Sequence, residues 1–280
     1  MDGKLVASIV KKEVAQKVQQ LRHQDINPWL STVLVGDDQA SATYLKAKHK
    51  ACEEVGIKSD NHHLPTDTSQ DVLELLIAKL NLDRKVHGIL VQLPLPKHLK
   101  EQKVIEQISP SKDVDGLHPE NLGKLASGSE ELVPCTPKGI VRLLQYYNIR
   151  IAGSRAVIVN RSNLVGRPLG MLLLNRDTTV TLCHSKTLNL AEVTREADIL
   201  VTAIGRPSVR IGAEYVKPGS TVIDVAINRI NGKLQGDIDF EAASRVAANI
   251  TPVPGGVGPM TVAMLLENSI QAATSQYKNE

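Results

Sequence analysis

Tyr44 and Lys48 stand four residues apart in a helical run, so a phenol and an amine share one helix face and reach one ligand. Alone, such a pair is ordinary surface chemistry. Gln92 closes the apolar run Gly88-Ile89-Leu90-Val91 and precedes Leu93-Pro94-Leu95-Pro96. Its amide therefore stands beyond the carboxyl end of a buried strand, where parallel sheets hold their ligands. The alternative is an amide spent on loop backbone. Asp113 and Asp115 alternate in Lys112-Asp113-Val114-Asp115-Gly116, and in extended chain alternate side chains point the same way. No third or fourth ligand accompanies them, so no metal site is read here. One carboxylate is assigned to a ligand as acceptor and the other to bracing the loop. His62-His63 falls in a polar stretch and reads as a solvent-facing loop.

The second half offers a different chemistry. Val157-Ile158-Val159-Asn160-Arg161-Ser162-Asn163-Leu164-Val165-Gly166-Arg167-Pro168 reads as a strand, a loop and a helix start, and free N–H groups at a helix start suit a pyrophosphate. The usual G-x-G-x-x-G is absent, so an ordinary strand-to-helix turn fits the pattern equally. The end of the next strand reads His184-Ser185-Lys186-Thr187, without the acid that binds a ribose 2′-hydroxyl. A 2′-phosphate suits it better, and Arg161 beside it favours NADP over a merely solvated basic loop. Thr251 to Thr261 is dense in Gly and Pro just before a helix, as in a loop that lines a site or a stiff hinge. The Tyr44/Lys48 spacing also occurs in short-chain dehydrogenases, but there the glycine-rich loop precedes the pair, and this order excludes them.

The elements that must position these groups alternate. Periodicity predicts helices over 5–23, 43–55 and 72–81 and strands over 29–35 and 88–92, with Gly56 capping the second helix. A proline-rich loop over 93–137 leads to a connecting helix over 139–148, where the domain boundary is placed. Strands follow over 156–160, 180–182, 199–203 and 222–225, and a last helix over 261–277 could pack back on the first domain. Such alternation implies an α/β fold with parallel sheets and helices on both faces. No repeat or low-complexity tract interrupts it.

Composition narrows the partners. One Phe and one Trp among 280 residues leave the core to Val, Ile, Leu and Ala. A net charge of +3 with interspersed signs marks neither a nucleic-acid nor a membrane surface, which leaves a small molecule as partner. Cys52, Cys135 and Cys183 are odd in number and widely spaced, so neither a disulfide framework nor a zinc site is expected and a reducing compartment follows. A charged N-terminus without an apolar run reads as cytoplasmic, although a mature organellar enzyme would look the same.

Together the stretches YLKAKHKACEEVGI (44–57), GILVQLPLP (88–96), KDVDGLHP (112–119), PCTPKG (134–139), RSNLVGRP (161–168) and TPVPGGVGPMTV (251–262) closely resemble the bifunctional methylenetetrahydrofolate dehydrogenase/cyclohydrolase family. The resemblance spans nearly the whole chain in the family's order. It implies two α/β domains around a cleft: a folate-binding catalytic domain over 1–138, completed by the helix 261–280, and a Rossmann-like NADP domain over 139–260. It further implies oxidation of 5,10-methylenetetrahydrofolate with NADP and hydrolysis of the methenyl product to 10-formyltetrahydrofolate, in a homodimer. Lys48 becomes the central catalytic residue, with Tyr44 beside the pterin, Gln92 orienting the lysine and Asp115 on the pterin's polar edge. Leu93, Pro254, Gly255, Gly256, Pro259 and Thr261 join the substrate site. The NADP site takes Asn160, Arg161, Ser162, Val165, Gly166, Arg167, Pro168, Ser185 and Ile227. No synthetase domain follows Glu280, so the ATP-dependent formyltetrahydrofolate synthetase activity of trifunctional relatives is not expected.

Two residues depart from the family pattern, which has Gly at the positions of Asn160 and Ala226. Both are expected at strand ends facing the cofactor, where a side chain obstructs the dinucleotide or strains the turn. Asn tolerates a left-handed backbone, so the expected cost falls on space and on NADP affinity, whether the amide points toward the cofactor or is turned aside. One rival reading is a cyclohydrolase whose dehydrogenase step is weakened or lost. Another is a non-catalytic nucleotide sensor, which would have no need to keep Tyr44, Lys48, Gln92 and Asp115 together.

Overall fold

Val6, Val10, Val14 and Val18 recur every fourth residue and are all buried, which makes one apolar stripe of helix α1 (Gly3–Arg22). The computed structural model describes residues 1–230 and 232–278. The chain divides into two units, one of Met1–Ser8 with Thr136–Thr261 and the other of Ile9–Cys135 with Val262–Glu280. Helix α1 thus begins in one unit and continues in the other.

The unit built on Ile9–Cys135 holds a three-stranded parallel sheet. Strand β1 (Trp29–Val35) is central and pairs on one side with β2 (Lys58–Leu64), from Trp29↔Lys58 to Val35↔Leu64. On the other side it pairs with β3 (Gly88–Val91), from Leu30↔Gly88 to Val33↔Val91. The crossovers are α2 (Gln39–Val55) and α3 (Gln70–Leu82). Helix α2 starts where the Asp38 carboxylate accepts the Ser41 N–H at 2.7 Å, four residues before the first periodic residue. It stops at Gly56, whose φ of 82° is left-handed.

Strand β2 replaces the expected polar loop. As an edge strand it takes its backbone bonds from β1 alone and needs no apolar face, so Lys-Ser-Asp-Asn-His-His-Leu leaves no hydrophobic signal. His62 and His63 are therefore strand residues with partners. His62 Nε2 lies 2.8 Å from Asp60 Oδ2, and His63 Nε2 lies 3.2 Å from Asp37 Oδ1 and 3.0 Å from the Gly36 carbonyl.

The expected loop over 93–137 is largely helical as well. It contains α4 (Glu101–Gln107), a 3₁₀ turn (Pro110–Lys112), α5 (Pro119–Ala126) and the start of α6 (Cys135–Tyr146). Pro110 and Pro119 open their helices, because the first helical position lacks an N–H partner in any case. Proline here marks a start rather than a gap. Helix α3 and α4 close the core against the sheet through Leu73, Ile77, Leu80, Ile89 and Val104.

The other unit holds five parallel strands in the order β10-β7-β6-β4-β5: β4 (Arg155–Val159), β5 (Thr179–Cys183), β6 (Ile199–Thr202), β7 (Thr221–Asp224) and β10 (Asn249–Ile250). Between them run α7 (Gly166–Leu174), the short α8 (Leu190–Thr194) and α9 (Phe240–Ser244), and an antiparallel hairpin of β8 (Asn228–Ile230) and β9 (Lys233–Gln235). The last helix, α10 (Val257–Lys278), begins four residues before the expected start at Thr261, with Pro259 accommodated in its first turn. Its later part belongs to the three-stranded unit, where Asn268 Nδ2 donates to the Val114 and Val133 carbonyls at 2.9 and 2.8 Å. Residues 279–280 of the expected terminal helix lie outside the described residues. The three cysteines are free and buried, and burial pushes the Cys52 thiol up to about 12 and that of Cys183 upward.

A buried polar cluster ties the carboxyl ends of β6 and β7 to the hairpin. Asp224 accepts the N–H groups of Asp237 at 3.0 Å and Ile238 at 2.9 Å and the Thr202 hydroxyl at 3.3 Å. Asp237 in turn accepts from the N–H groups of Ile204 and Gly205 and from Asn228 Nδ2. Burial, only partly offset by these donors, pushes the Asp224 carboxyl up to about 6 from an ordinary value of 3.8. Its contribution to stability is therefore full below pH 3.8 and is lost as pH rises through 6, at a cost of roughly 3 kcal/mol. Urea unfolding of the wild type and Asp224→Asn should show the wild type losing stability relative to the variant between pH 4 and 7. A difference that stays constant over that range would mean that Asp224 titrates normally.

Candidate active site

Helix α2 buries Leu45, Cys52 and Val55 on one face and leaves Tyr44 exposed and Lys48 half-buried at its margin. Lys48 Nζ donates to Gln92 Oε1 at 3.0 Å. Gln92 sits one residue past β3 and is itself fixed twice: its N–H donates to the Val33 carbonyl at 2.9 Å, and its Nε2 donates to the Leu93 carbonyl at 2.7 Å. The amide nitrogen spent on loop backbone is what turns the glutamine's oxygen toward the lysine. Tyr44, one turn before Lys48 on the helix, leaves its phenol open to solvent.

His49, beside Lys48, explains why α2 keeps its place. Its ring bridges Thr32 Oγ1 at 2.9 Å and Ser59 Oγ at 2.8 Å, on the two strands beneath. Thr32 also lies 3.0 Å from Asn61 Oδ1 and 3.1 Å from the Asp60 carbonyl, where its single proton goes, so the imidazole proton is assigned to Nε2 and Ser59 donates to Nδ1. Burial holds this imidazole below its ordinary range, which keeps it neutral. Sequence reading passed over His49. The available signal was a polar residue on the inward face of a helix.

Asp113 and Asp115 do not share a face, contrary to the extended-segment reading. The chain turns there, so Asp113 is buried and accepts from Gly116 N–H, His118 N–H and Asn121 Nδ2 at 3.1, 2.8 and 2.9 Å. Asp115 is half-exposed and makes no hydrogen bond among the described residues. Gly116 holds the turn at φ 74°, and a Cβ there would meet the Val133–Pro134 backbone at 2.5 Å. One carboxylate builds the loop, and the loop presents the other.

In the five-stranded unit, β4 and β5 pair with Val159 opposite Cys183, so Arg161 and Ser185 each lie two residues past a neighbouring strand end. Both are exposed, as are Arg167 and Lys186, and no acid interrupts them. The set fits a 2′-phosphate. Pro168 and Gly166 are buried in the first turn of α7, and a Cβ on Gly166 would meet the Asn160 carbonyl oxygen at 2.2 Å.

Asn160 takes the second of its two expected arrangements. Its backbone is not left-handed, and its amide is turned aside into the loop. Oδ1 accepts from Ser162 N–H at 2.7 Å, Ser162 Oγ at 2.7 Å and Gly166 N–H at 3.0 Å, while Nδ2 donates to the Ala203 carbonyl at 2.6 Å. Ser162 Oγ accepts from Val165 N–H at 3.2 Å. The carboxamide thus consumes the donors that a helix start offers an anion, rather than filling space. Ala226 is buried, so its methyl does not stand open at the strand ends, whereas Ile227 beside it is exposed.

The Gly-Pro loop completes this unit. Gly255 has φ 108° and its carbonyl accepts from Gly3 and Lys4 N–H at 2.9 and 3.2 Å. A Cβ on Gly256 would meet the Pro252 carbonyl at 2.6 Å, so only glycine fits. Pro254 is exposed, Pro259 is half-buried and Thr261 Oγ1 meets Thr136 Oγ1 at 2.9 Å. The expected substrate residues thus divide, with Tyr44, Lys48, Gln92, Leu93 and Asp115 in one unit and Pro254, Gly255, Gly256, Pro259 and Thr261 in the other.

A lysine–amide pair beyond one parallel sheet and an arginine with a serine at neighbouring strand ends of another are the features of a two-unit α/β enzyme that uses a dinucleotide. The family model for the tetrahydrofolate dehydrogenase/cyclohydrolase catalytic domain matches residues 1–115, and that for the NAD(P)-binding domain matches 134–277. The chain is 52% identical to the bifunctional protein FolD of Halalkalibacterium halodurans, covering 98% of each, and 53% identical to that of Campylobacter curvus, covering 100% of this chain and 97% of the relative. Among solved structures it is similar to FolD of Campylobacter jejuni, with a TM-score of 0.95 and 49% identity over 98% of each chain. FolD of Trypanosoma brucei, solved with NADP and an inhibitor, gives a TM-score of 0.93 at 38% identity over 99% and 98% of the two chains. The chain belongs to the tetrahydrofolate dehydrogenase/cyclohydrolase family.

Asn160→Gly should therefore move two measurements in opposite senses. Losing the carboxamide's capping bonds should lower the urea unfolding free energy by about 1 kcal/mol. Releasing the N–H groups of Ser162 and Gly166 should lower KM for NADP. A KM that stays level or rises would show that these donors do not compete for the cofactor.

Proposed function

We propose that the protein oxidises 5,10-methylenetetrahydrofolate to the methenyl compound with NADP and hydrolyses that product to 10-formyltetrahydrofolate, with Lys48 at the centre of both steps. The observation that carries this is the Lys48–Gln92 contact at the end of β3, on the helix face that also presents Tyr44. An amine held by a neutral amide rather than a carboxylate keeps its protons available to a reacting group. Gln92 fixes where they point. Asp115, an unspent carboxylate on a braced loop, accepts from the polar edge of the pterin, and Tyr44 and Leu93 border the same ring.

NADP, when bound, takes up the hydride lost from the carbon bridging N5 and N10. Arg161 and Ser185 hold its 2′-phosphate, as supported by their neighbouring strand ends and the absence of an acid there. Ser162, Val165, Gly166, Arg167, Pro168 and Ile227 line the rest of the dinucleotide site, with Asn160 holding the loop. Lys48 assists attack of water on the electron-poor methenyl carbon by exchanging a proton with it. Pro254, Gly255, Gly256, Pro259 and Thr261 supply the rigid wall of the substrate site.

The folate-binding catalytic domain is assigned to 1–138 with the C-terminal helix 261–280, and the NADP domain to 139–260. The enzyme acts in the cytoplasm as a homodimer. A second reading, a cyclohydrolase with a weakened dehydrogenase, draws support from the donors that Asn160 consumes.

Lys48→Met, close in size but without the amine, should abolish methenyl hydrolysis while the unfolding midpoint stays within the wild-type range. Normal hydrolysis in that variant would remove Lys48 from the mechanism. Arg161→Ala should raise KM for NADP far more than for NAD, by about tenfold or more for loss of a charge-assisted contact to phosphate. Equal losses for the two cofactors would place Arg161 away from the 2′-phosphate.

A further inference from the structure

The three-stranded unit also has a cavity of about 1160 Å³ at the amino ends of β1, β2 and β3, bordered by Trp29, Lys58 and His87. Lys48 and Gln92 lie at the other end of the same sheet. From His87 to Gln92 the extended chain runs five residues, about 16 Å. The cavity is therefore separate from the proposed folate site.

Its charge is one-sided. Arg22, Lys58, Arg84, Lys85 and Lys112 line it against only Asp25 and Glu53, an excess of three positive charges and as large as the +3 of the entire chain. Three helices end here, at Arg22, Val55 and Leu82, and cations at helix ends are ordinary caps. That explains two of the five. Lys112 spends its ammonium on the carbonyls of Leu80, Asn81 and Asp83 at 3.1, 2.8 and 2.8 Å, and Arg22 Nη2 donates to the Gly56 carbonyl at 2.7 Å.

Three cations remain. The side chains of Arg84 and Lys85 have no partner among the described residues, and Lys58 Nζ is held 3.7 Å above the Trp29 ring rather than on a carboxylate. The indole is itself fixed, since its Nε1 donates to Asp60 Oδ1 at 2.6 Å. Trp29 and the exposed Tyr277 give the same cavity apolar surface. Two free cations, and a third held over a pinned aromatic ring without a carboxylate, match a ligand with several negative charges on an apolar body.

We propose that this cavity binds a small organic polyanion, carboxylate- or phosphate-bearing, with its charges on Lys58, Arg84 and Lys85 and its apolar body against Trp29 and Tyr277. Trp29 is the chain's single tryptophan, so its fluorescence reports this cavity alone. Titration with benzene-1,3,5-tricarboxylate should give a saturable change that weakens with added salt. Propane-1,2,3-tricarboxylate, with equal charge and no ring, should bind more weakly. The double variant Arg84→Ala/Lys85→Ala should lose about tenfold in affinity, as expected for two removed surface charges, while both enzymatic activities stay at wild-type levels. Pyrophosphate in a parallel titration tells whether phosphate is taken in preference to carboxylate. Absence of a saturable change for all three anions, equal affinity for the two tricarboxylates, or an unaltered dissociation constant in the double variant would each overturn the proposal.

Discussion

An ammonium that is half out of water must either find a carboxylate or be held by neutral groups, and Lys48 is held by one amide oxygen. This contact joins a helix to a strand end, so it exists only if both elements keep their register. Helix α2 is fixed at its start by Asp38, at its end by Gly56 and across its middle by the His49 bridge to Thr32 and Ser59. Strand β3 is fixed by pairing with β1, and Gln92 by its own bond to the Leu93 carbonyl. The polar residues buried beneath α2 thus serve the amine above it. An apolar contact would bury the same area, but it would not fix the helix along its axis.

The five-stranded unit uses the same device at its strand ends. Asn160 Nδ2 reaches the Ala203 carbonyl, and the next two N–H groups, those of Ile204 and Gly205, go to Asp237. Asp237 also takes Asn228, while its own N–H and that of Ile238 go to Asp224, so the ends of β4, β6 and β7 form one hydrogen-bonded chain. Strand-end loops held in this way are ordered by the chain's own polar groups before any ligand arrives. The cost is a buried carboxylate pair at Asp224 and Asp237, where burial raises both.

Apolar runs made most of this legible. Strands 29–35 and 88–92 and the four runs of the second half announce themselves by β-branched residues, whereas the roles expected of Lys48, Gln92 and Asp115 come from the family resemblance. What stayed hidden is polar. Strand β2 is an edge strand with no hydrophobic face, and α4 and α5 sit among prolines that begin helices instead of breaking them. Asp113 and Asp115 leave the common face because a period-two argument holds only in extended chain, and the segment turns from Asp113 to Gly116. Which way the Asn160 amide turns is not legible in the sequence, because its carboxamide's destination, a carbonyl 43 residues later, is a tertiary fact.

The buried thiols have a practical meaning. With Cys52 pushed up to about 12 and Cys183 raised as well, neither ionises at neutral pH, and neither is open to a reagent in the folded chain. Cys52 and Cys135 lie in one unit and Cys183 in the other. Modification of a given cysteine is then a clock for the opening of the unit that houses it. The same chain, without any label being introduced, carries a separate timer for each half.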